Sequence, residues 1–405
     1  MPLPLPPCLG AALNPWLRSM AAWLTVCLTL MAGTLASGCA TRAVVTPPVL
    51  LADHLFAPQP RFEAQRLFAL DEPMRAYLTH RLPTLRLGSD QRHALVQALF
   101  EQGELKLRYD GGVTRTAAEA FDARAGNCLS LVIMTAAFAK HLGVPVRYRS
   151  VAVADTYSRS GELYMVSRHV NLALGPETNK HMFGSERADW LTVDFLPQEA
   201  LGKPRTAPLS EATIVAMYLN NRAAEALSEG QVDRAYGWAR DAVLQDPGFT
   251  TAINTLAVVY QRAGHTAQAE TALRHVLAVD PEHMAALANL AGLLTRLGRA
   301  GEAAVVAQTL ARLQPVPPFQ HFNLGRLAMT AGDFSTALLH FDKELRQQPY
   351  QDEVHFWLAQ AHWRLGHVEQ TRQHLRLAAE HSVTSSSHGR YTAKLALLQA
   401  AAQVH

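Results

Sequence analysis

The sequence predicts a mostly helical chain in which a small α+β domain is followed by an all-α solenoid, and three observations lead there. Glycines stand at Gly230, Gly264, Gly298, Gly332 and Gly366 and prolines at Pro247, Pro281, Pro315 and Pro349, each series stepping by 34 residues. Upstream of them, a nearly continuous apolar run at 128–139 is followed by segments at 166–174 and 190–195 that alternate apolar and polar residues, the period of strands. Apolar residues make up 49% of the chain and charged ones 18%, the balance of a folded protein rather than a disordered one. At 405 residues the chain exceeds the roughly 100 to 200 residues of a typical domain, so two or more units are expected. The formal net charge is only +3 and no cluster of Lys and Arg is present, which argues against nucleic acid as a partner.

Residues 1–38 read as an address. Residues 20–34, MAAWLTVCLTLMAGT, form an apolar stretch preceded by Arg18, as in a secretory signal. The stretch is short of the about 20 apolar residues a membrane span needs, and it runs into Leu35-Ala36-Ser37-Gly38 ahead of Cys39. This resembles a bacterial lipoprotein box, although Ala36 stands where Leu is usual. The resemblance implies acylation of Cys39, with buried chains contributing about 0.8 kcal/mol per CH₂. It also implies a place in the bacterial cell envelope. Ala40, rather than Asp, as the second mature residue implies the outer membrane, facing the periplasm. Residues 39–60, with VVTPPV and FAPQP, contain prolines and lack a clear period, so they read as a tether.

Residues 61–205 read as the α+β domain. Two helices are expected between Arg61 and Gly103, the second starting at Ser89-Asp90. Thr116-Ala117-Ala118-Glu119 is a capping box opening a short helix, and residues 124–127 turn the chain so that Cys128 begins the apolar helix, which stops at Gly143-Val144-Pro145. A helix apolar nearly all round belongs at the centre of a domain. Of four cysteines, Cys8 and Cys27 fall in the signal and Cys39 at its border. Cys128 is therefore the single thiol of the mature soluble part, a position that favours a reactive group over a disulfide. The alternative is a small buried hydrophobe.

The first turn of a helix favours an anion by about 0.3 to 1 kcal/mol, too little alone, so a base is needed. Alternation puts His169, Asn171 and Ala173 on one face of a half-buried strand, and Asp194 alternates out from Leu191, Val193 and Phe195. Cys128, His169 and Asp194 thus supply a thiolate, an imidazole to share its proton and a carboxylate to orient the ring. The backbone N–H of Cys128 is a candidate oxyanion donor, with Asn127 and Tyr109 as candidates for a second. No cofactor is implied, and despite 18 histidines no HExxH or CxxC occurs, so no metal site is expected.

Residues 206–382 carry the repeats. Ala235, Ala269, Ala303 and Ala337 each lie five residues past a glycine, the offsets and period of about five tetratricopeptide repeats. The glycine takes a left-handed backbone between paired helices, the alanine lets them approach, and the proline opens the next unit. Stacked hairpins share a continuous core, and residues 383–405 supply a capping helix. Such a solenoid offers a surface for a protein or peptide partner.

The stretch from Tyr109 to Leu196, with TAAEAFDARAGNCLSLVIMTAAFAKHLGVPVRYRSV, SRHVNLAL and LTVDFLP, resembles the bacterial transglutaminase-like superfamily, and within it the branch joined to tetratricopeptide repeats. The resemblance implies a papain-like α+β fold with Cys128 as nucleophile, His169 as base and Asp194 as orienting acid. It implies action on an amide bond, as peptidase, amidase or acyl transferase. Because the superfamily includes catalytically dead members, a non-catalytic envelope scaffold is the alternative.

Overall fold

The computed structural model divides into two units, Met1–Val49 and Leu50–His405. It describes residues 50–85, 90–100, 107–160, 163–176, 190–195, 205–315, 319–347, 351–382 and 385–403, all in the second unit. The expected signal at 1–38, Cys39 and the first part of the tether lie outside the described residues. No helix among the described residues is long and apolar enough to cross a membrane.

Helices α1 (Glu72–Leu85) and α2 (Gln91–Phe100) come first. Asp90 stands at the start of α2, as expected, accepting the Ala94 N–H on its carbonyl and the Arg92 N–H on Oδ1. Strand β1 (Arg108–Tyr109) pairs in parallel with β2 (Ala125–Gly126), on either side of α3 (Ala117–Ala123). The capping box at Thr116 and Glu119 is formed in both directions. Arg124 then turns the chain through a left-handed φ of 48°, and α4 (Cys128–His141) begins. Residues 128–139 are all buried, as the all-round apolar pattern requires. The helix packs against β4 of an antiparallel sheet whose strand order is β5-β4-β3-β6, with β3 Val146–Ser160, β4 Leu163–Leu174, β5 Leu191–Val193 and β6 Arg205–Leu209.

Five helical hairpins follow: α5 (Glu211–Ser228) with α6 (Val232–Gln245), α7 (Thr250–Arg262) with α8 (Thr266–Val279), α9 (Met284–Arg296) with α10 (Ala300–Leu313), α11 (Gln320–Ala331) with α12 (Phe334–Gln347), and α13 (Asp352–Arg364) with α14 (Val368–Glu380). Each turn holds its periodic glycine at a φ between 73° and 83°, where a side chain would be strained. The periodic alanines are buried against the facing helix. Helix α15 (Ser385–Gln403) packs on α14 and buries Tyr391.

Three expectations are corrected. The first concerns the tether. Its second half, 50–60, is a docked strap lying on the first two hairpins. Phe56 stacks on Tyr236 with ring centroids 4.0 Å apart. The Ala52 N–H donates to Tyr236 Oη at 3.0 Å, and Tyr260 Oη donates to the Leu50 carbonyl at 2.8 Å. The Ala57 N–H reaches Asp233 Oδ1 at 3.0 Å, and just beyond the strap the Phe62 N–H reaches Asp241 Oδ2 at 2.8 Å. Gly237 makes room for it, since a Cβ there would come within 2.6 Å of Gln59 Cβ. An aperiodic, proline-containing segment is ordered here because remote side chains satisfy its backbone.

The second correction concerns the solenoid core, which is continuous only through the first three hairpins. One hydrophobic cluster runs from Leu50 through α4 and β4 to Ala303, and a separate one spans Phe319 to Leu358. The architecture changes near residue 205 without a break in packing. The break comes instead between α10 and α11, which make no joint comparable to those of α6 with α7 or α12 with α13. Val305 on α10 and Leu327 on α11 are 66% and 67% exposed. The connecting sequence QPVPPF brings three prolines, which cannot continue either helix. The third correction is that residues 169–174 of β4 are not half-buried: His169, Asn171 and Ala173 are as enclosed as Val170, Leu172 and Leu174.

Candidate functional site

Strand pairing explains why two residues 25 positions apart meet. Val193 lies opposite Leu172, so one further step of the same antiparallel register brings Asp194 beside Asn171, with His169 two residues along the same face. His169 pairs with Val151, and the β3–β4 register shifts between Val151 and Thr156, an irregularity of the kind that re-aims neighbouring side chains. The result is a short contact of 2.6 Å between His169 Nε2 and Asp194 Oδ1. Asn171 Nδ2 donates to the other carboxylate oxygen, Asp194 Oδ2, at 2.8 Å.

Cys128 opens α4 near the same His169 ring, close enough to help raise its pKa. Nε2 is held by Asp194, so Nδ1 is the other nitrogen of the ring. The three residues expected from the sequence to work together are therefore in one cluster, Cys128 and His169 buried and Asp194 partly exposed. Burial opposes a charge on His169, but the hydrogen bonds to Asp194 and Cys128 with the attraction of both outweigh it, and the imidazole is pushed up to about 9.

The second oxyanion donors expected from the sequence fare differently. Asn127 is committed elsewhere. Its Oδ1 accepts the Ser130 N–H and Oγ–H, both at 2.9 Å, capping α4, while its Nδ2 donates to Thr114 Oγ1 at 2.9 Å. One of the two Nδ2 hydrogens is thus committed to Thr114, and the cap fixes the orientation of the amide. Tyr109 pairs with Gly126 through its backbone, and its side chain lies outside the described residues. What the helix start does offer is the backbone N–H of Cys128, which as a first-turn donor has no partner within the helix.

Asn171 is the residue the sequence reading left without a role. It shares the face of His169 and clamps Asp194, yet its own Oδ1 is buried with no hydrogen-bond partner. An acceptor of that kind is uncommon in a folded interior. The alternation of β4 placed it correctly, but an asparagine on a strand carries no chemical signature of its own.

Comparison with known proteins bears on the C-terminal part. The tetratricopeptide-repeat family model matches residues 254–316 and 322–382, and the gap between the two matches falls where the solenoid core breaks. The hairpins within these matches are tetratricopeptide repeats, a class that typically binds proteins and peptides. Among solved structures, a MamA structure designated MSR-1 C2 is 20% identical over 42% of this chain and 97% of its own, with a TM-score of 0.24. PilF of Pseudomonas aeruginosa is 22% identical over 45% of this chain and 91% of its own, with a TM-score of 0.26. The protein TTC0263 of Thermus thermophilus is 17% identical over 44% of this chain and 98% of its own, with a TM-score of 0.29. No curated protein sequence matches the chain.

Proposed function

We propose that residues 61–205 form a transglutaminase-like thiol enzyme acting on an amide bond, presented with a protein-binding or peptide-binding repeat solenoid on a lipid-anchored envelope protein. The observation that carries the catalytic part is the 2.6 Å pairing of the His169 imidazole with the Asp194 carboxylate, with Cys128 near enough to help raise the imidazole's pKa. In this reading the Cys128 sulfur attacks the amide carbon and the oxyanion is met by the Cys128 N–H. His169 Nδ1 gives its proton to the departing nitrogen as the C–N bond breaks, leaving a thioester. Water or an amine then loses a proton to His169, attacks the thioester carbon and frees the thiol. Asp194, steadied by Asn171, keeps Nε2–H fixed throughout, so the ring presents Nδ1 to sulfur. The anchor rests on the sequence at 20–39, with Cys39 as the acylated residue.

The alternative is a scaffold whose enzyme-like part has no turnover. What favours it is the burial of both Cys128 and His169, which leaves the thiol screened from a bulky substrate. Alkylation across pH, read by mass spectrometry on the Cys128 peptide, decides between them. The enzyme reading expects rapid reaction near neutral pH, slowed at least ten-fold by His169→Ala and several-fold by Asp194→Ala, with helix content retained. A profile centred near the free-thiol value of about 8.5 in all variants, or no reaction in any, hands the case to the scaffold.

A further inference from the structure

The repeats and the thiol are joined by more than shared packing. On α5, the first helix of the solenoid, Glu225 Oε1 accepts the backbone N–H of Thr114 at 2.7 Å, and Arg222 Nη1 donates to the Thr114 carbonyl at 3.4 Å. The two side chains are themselves paired, Arg222 Nη1 to Glu225 Oε2 at 2.7 Å. Both backbone polar groups of one residue, 108 to 111 positions upstream, are thus held from the solenoid. The hydroxyl of that residue is the acceptor for Asn127 Nδ2, and Asn127 Oδ1 caps the helix that begins at Cys128. Ser130 closes the network, its Oγ accepting the Arg115 N–H at 2.8 Å while donating to Asn127 Oδ1.

Thr114, Asn127 and Ser130 are buried, so no water readily replaces a lost partner and a displacement at one end is felt at the other. One Asn127 amide hydrogen goes to Thr114 while its Oδ1 forms the cap. Rotating it away would uncouple the Ser130 N–H and loosen the first turn of α4, the turn whose backbone donors and dipole face the Cys128 sulfur.

We propose that Glu225 and Arg222 of the solenoid are positioning residues for Cys128, acting through Thr114 and Asn127, and that this relay lets the repeat array set the reactivity of the thiol. The inference rests on the thiol-enzyme reading above. A partner that shifts α5 on binding changes the hold on Thr114, and the change passes to the cap. The array is then a regulator of the site as well as its docking surface. Glu225→Gln keeps an acceptor for the Thr114 N–H and Thr114→Ser keeps the hydroxyl, whereas Glu225→Ala and Thr114→Val remove one link each.

The test is the pH–rate profile of Cys128 alkylation in the full chain, with amide hydrogen exchange at the Ser130 N–H as a second measurement. Glu225→Ala and Thr114→Val are expected to move the midpoint up by about half a unit, slowing reaction on the rising limb about three-fold with an unchanged plateau. They should also speed exchange at Ser130, and Glu225→Gln and Thr114→Ser should restore both. A wild-type profile already centred near about 8.5 sinks the enzyme reading and the relay with it. A wild-type midpoint well below that value, unmoved by Glu225→Ala and Thr114→Val, overturns the relay alone. If Glu225→Ala does not fold, the Thr114 pair decides by the same criteria.

Discussion

His169 is the residue on which the thiol site and its pH behaviour turn. Its proton is held more tightly in the fold than in a free imidazole, raised from 6.5 to about 9, so the folded state binds that proton where the unfolded chain has lost it. The stabilisation is fully present below about 6.5 and disappears as pH rises through 9. Urea midpoints measured from pH 6 to 10 should therefore fall across that window, and Asp194→Asn should flatten the fall by removing a partner that holds the proton. A wild-type midpoint constant over the window would contradict the paired geometry. Cys128, His169 and Asp194 were legible in the sequence because each is a residue type with its own chemistry, placed at a helix start or on an alternating strand. Asn171 was not, since its role depends on a strand register that only the fold supplies. Asn127 was read as an oxyanion candidate and as part of the turn before α4, while its capping of α4 through Oδ1 emerged only from the fold.

Among elements, the last hairpin is built around imidazole. His355 and His362 on α13 meet His374 on α14, with the rings of His362 and His374 5.5 Å apart and nearly parallel. His355 Nδ1 lies 3.1 Å from His374 Nδ1, His362 Nδ1 lies 3.2 Å from His367 Nδ1, and His381 stands against His355. Burial, then the nearness of His355 and His362, pushes His374 down to about 4, and burial with His367 lowers His362 against the weaker opposite pull of Asp342. The sign is opposite to that of His169. Stability from these neutral rings is present above about 6.5 and is lost as pH falls toward 4. Helical signal from α13 and α14 should melt at lower temperature at pH 5 than at pH 7, and His374→Gln should shrink the difference; equal melting at both pH values would contradict the buried neutral ladder. The 34-residue period made every hairpin legible, yet the histidine ladder was invisible to it, because the contacts fall between positions that the period leaves free. The strap at 50–60 was missed for a related reason: it has no period, and its partners are side chains roughly 180 positions away.

At the scale of the molecule, the separation of the hydrophobic clusters between Ala303 and Phe319 divides the solenoid energetically. In a repeat array, cooperativity is carried by the interfaces between neighbours, and the joint of α10 with α11 is the weak one. Amide exchange should show α11 to α15 opening at lower free energy than α4 to α9, as a distinct cooperative unit; uniform protection across the joint would contradict the division. The constant 34-residue step conceals this from the sequence, and only QPVPPF between the helices hints at it. The strap has a consequence for the order in which the molecule is made. Leu50 and Ala52 find their partners, Tyr260 and Tyr236, 210 and 184 residues later in the chain. At about 5 to 20 residues per second, synthesis of that interval takes roughly 10 to 40 s. Through that time Phe56 lacks the Tyr236 ring it stacks on, and the cluster the strap shares with α4 stays unfinished. The hydrophobic cluster that α4 shares with the strap is thus completed only after the second hairpin has been made, and a chain truncated before Tyr260 leaves the strap without its anchoring hydroxyl.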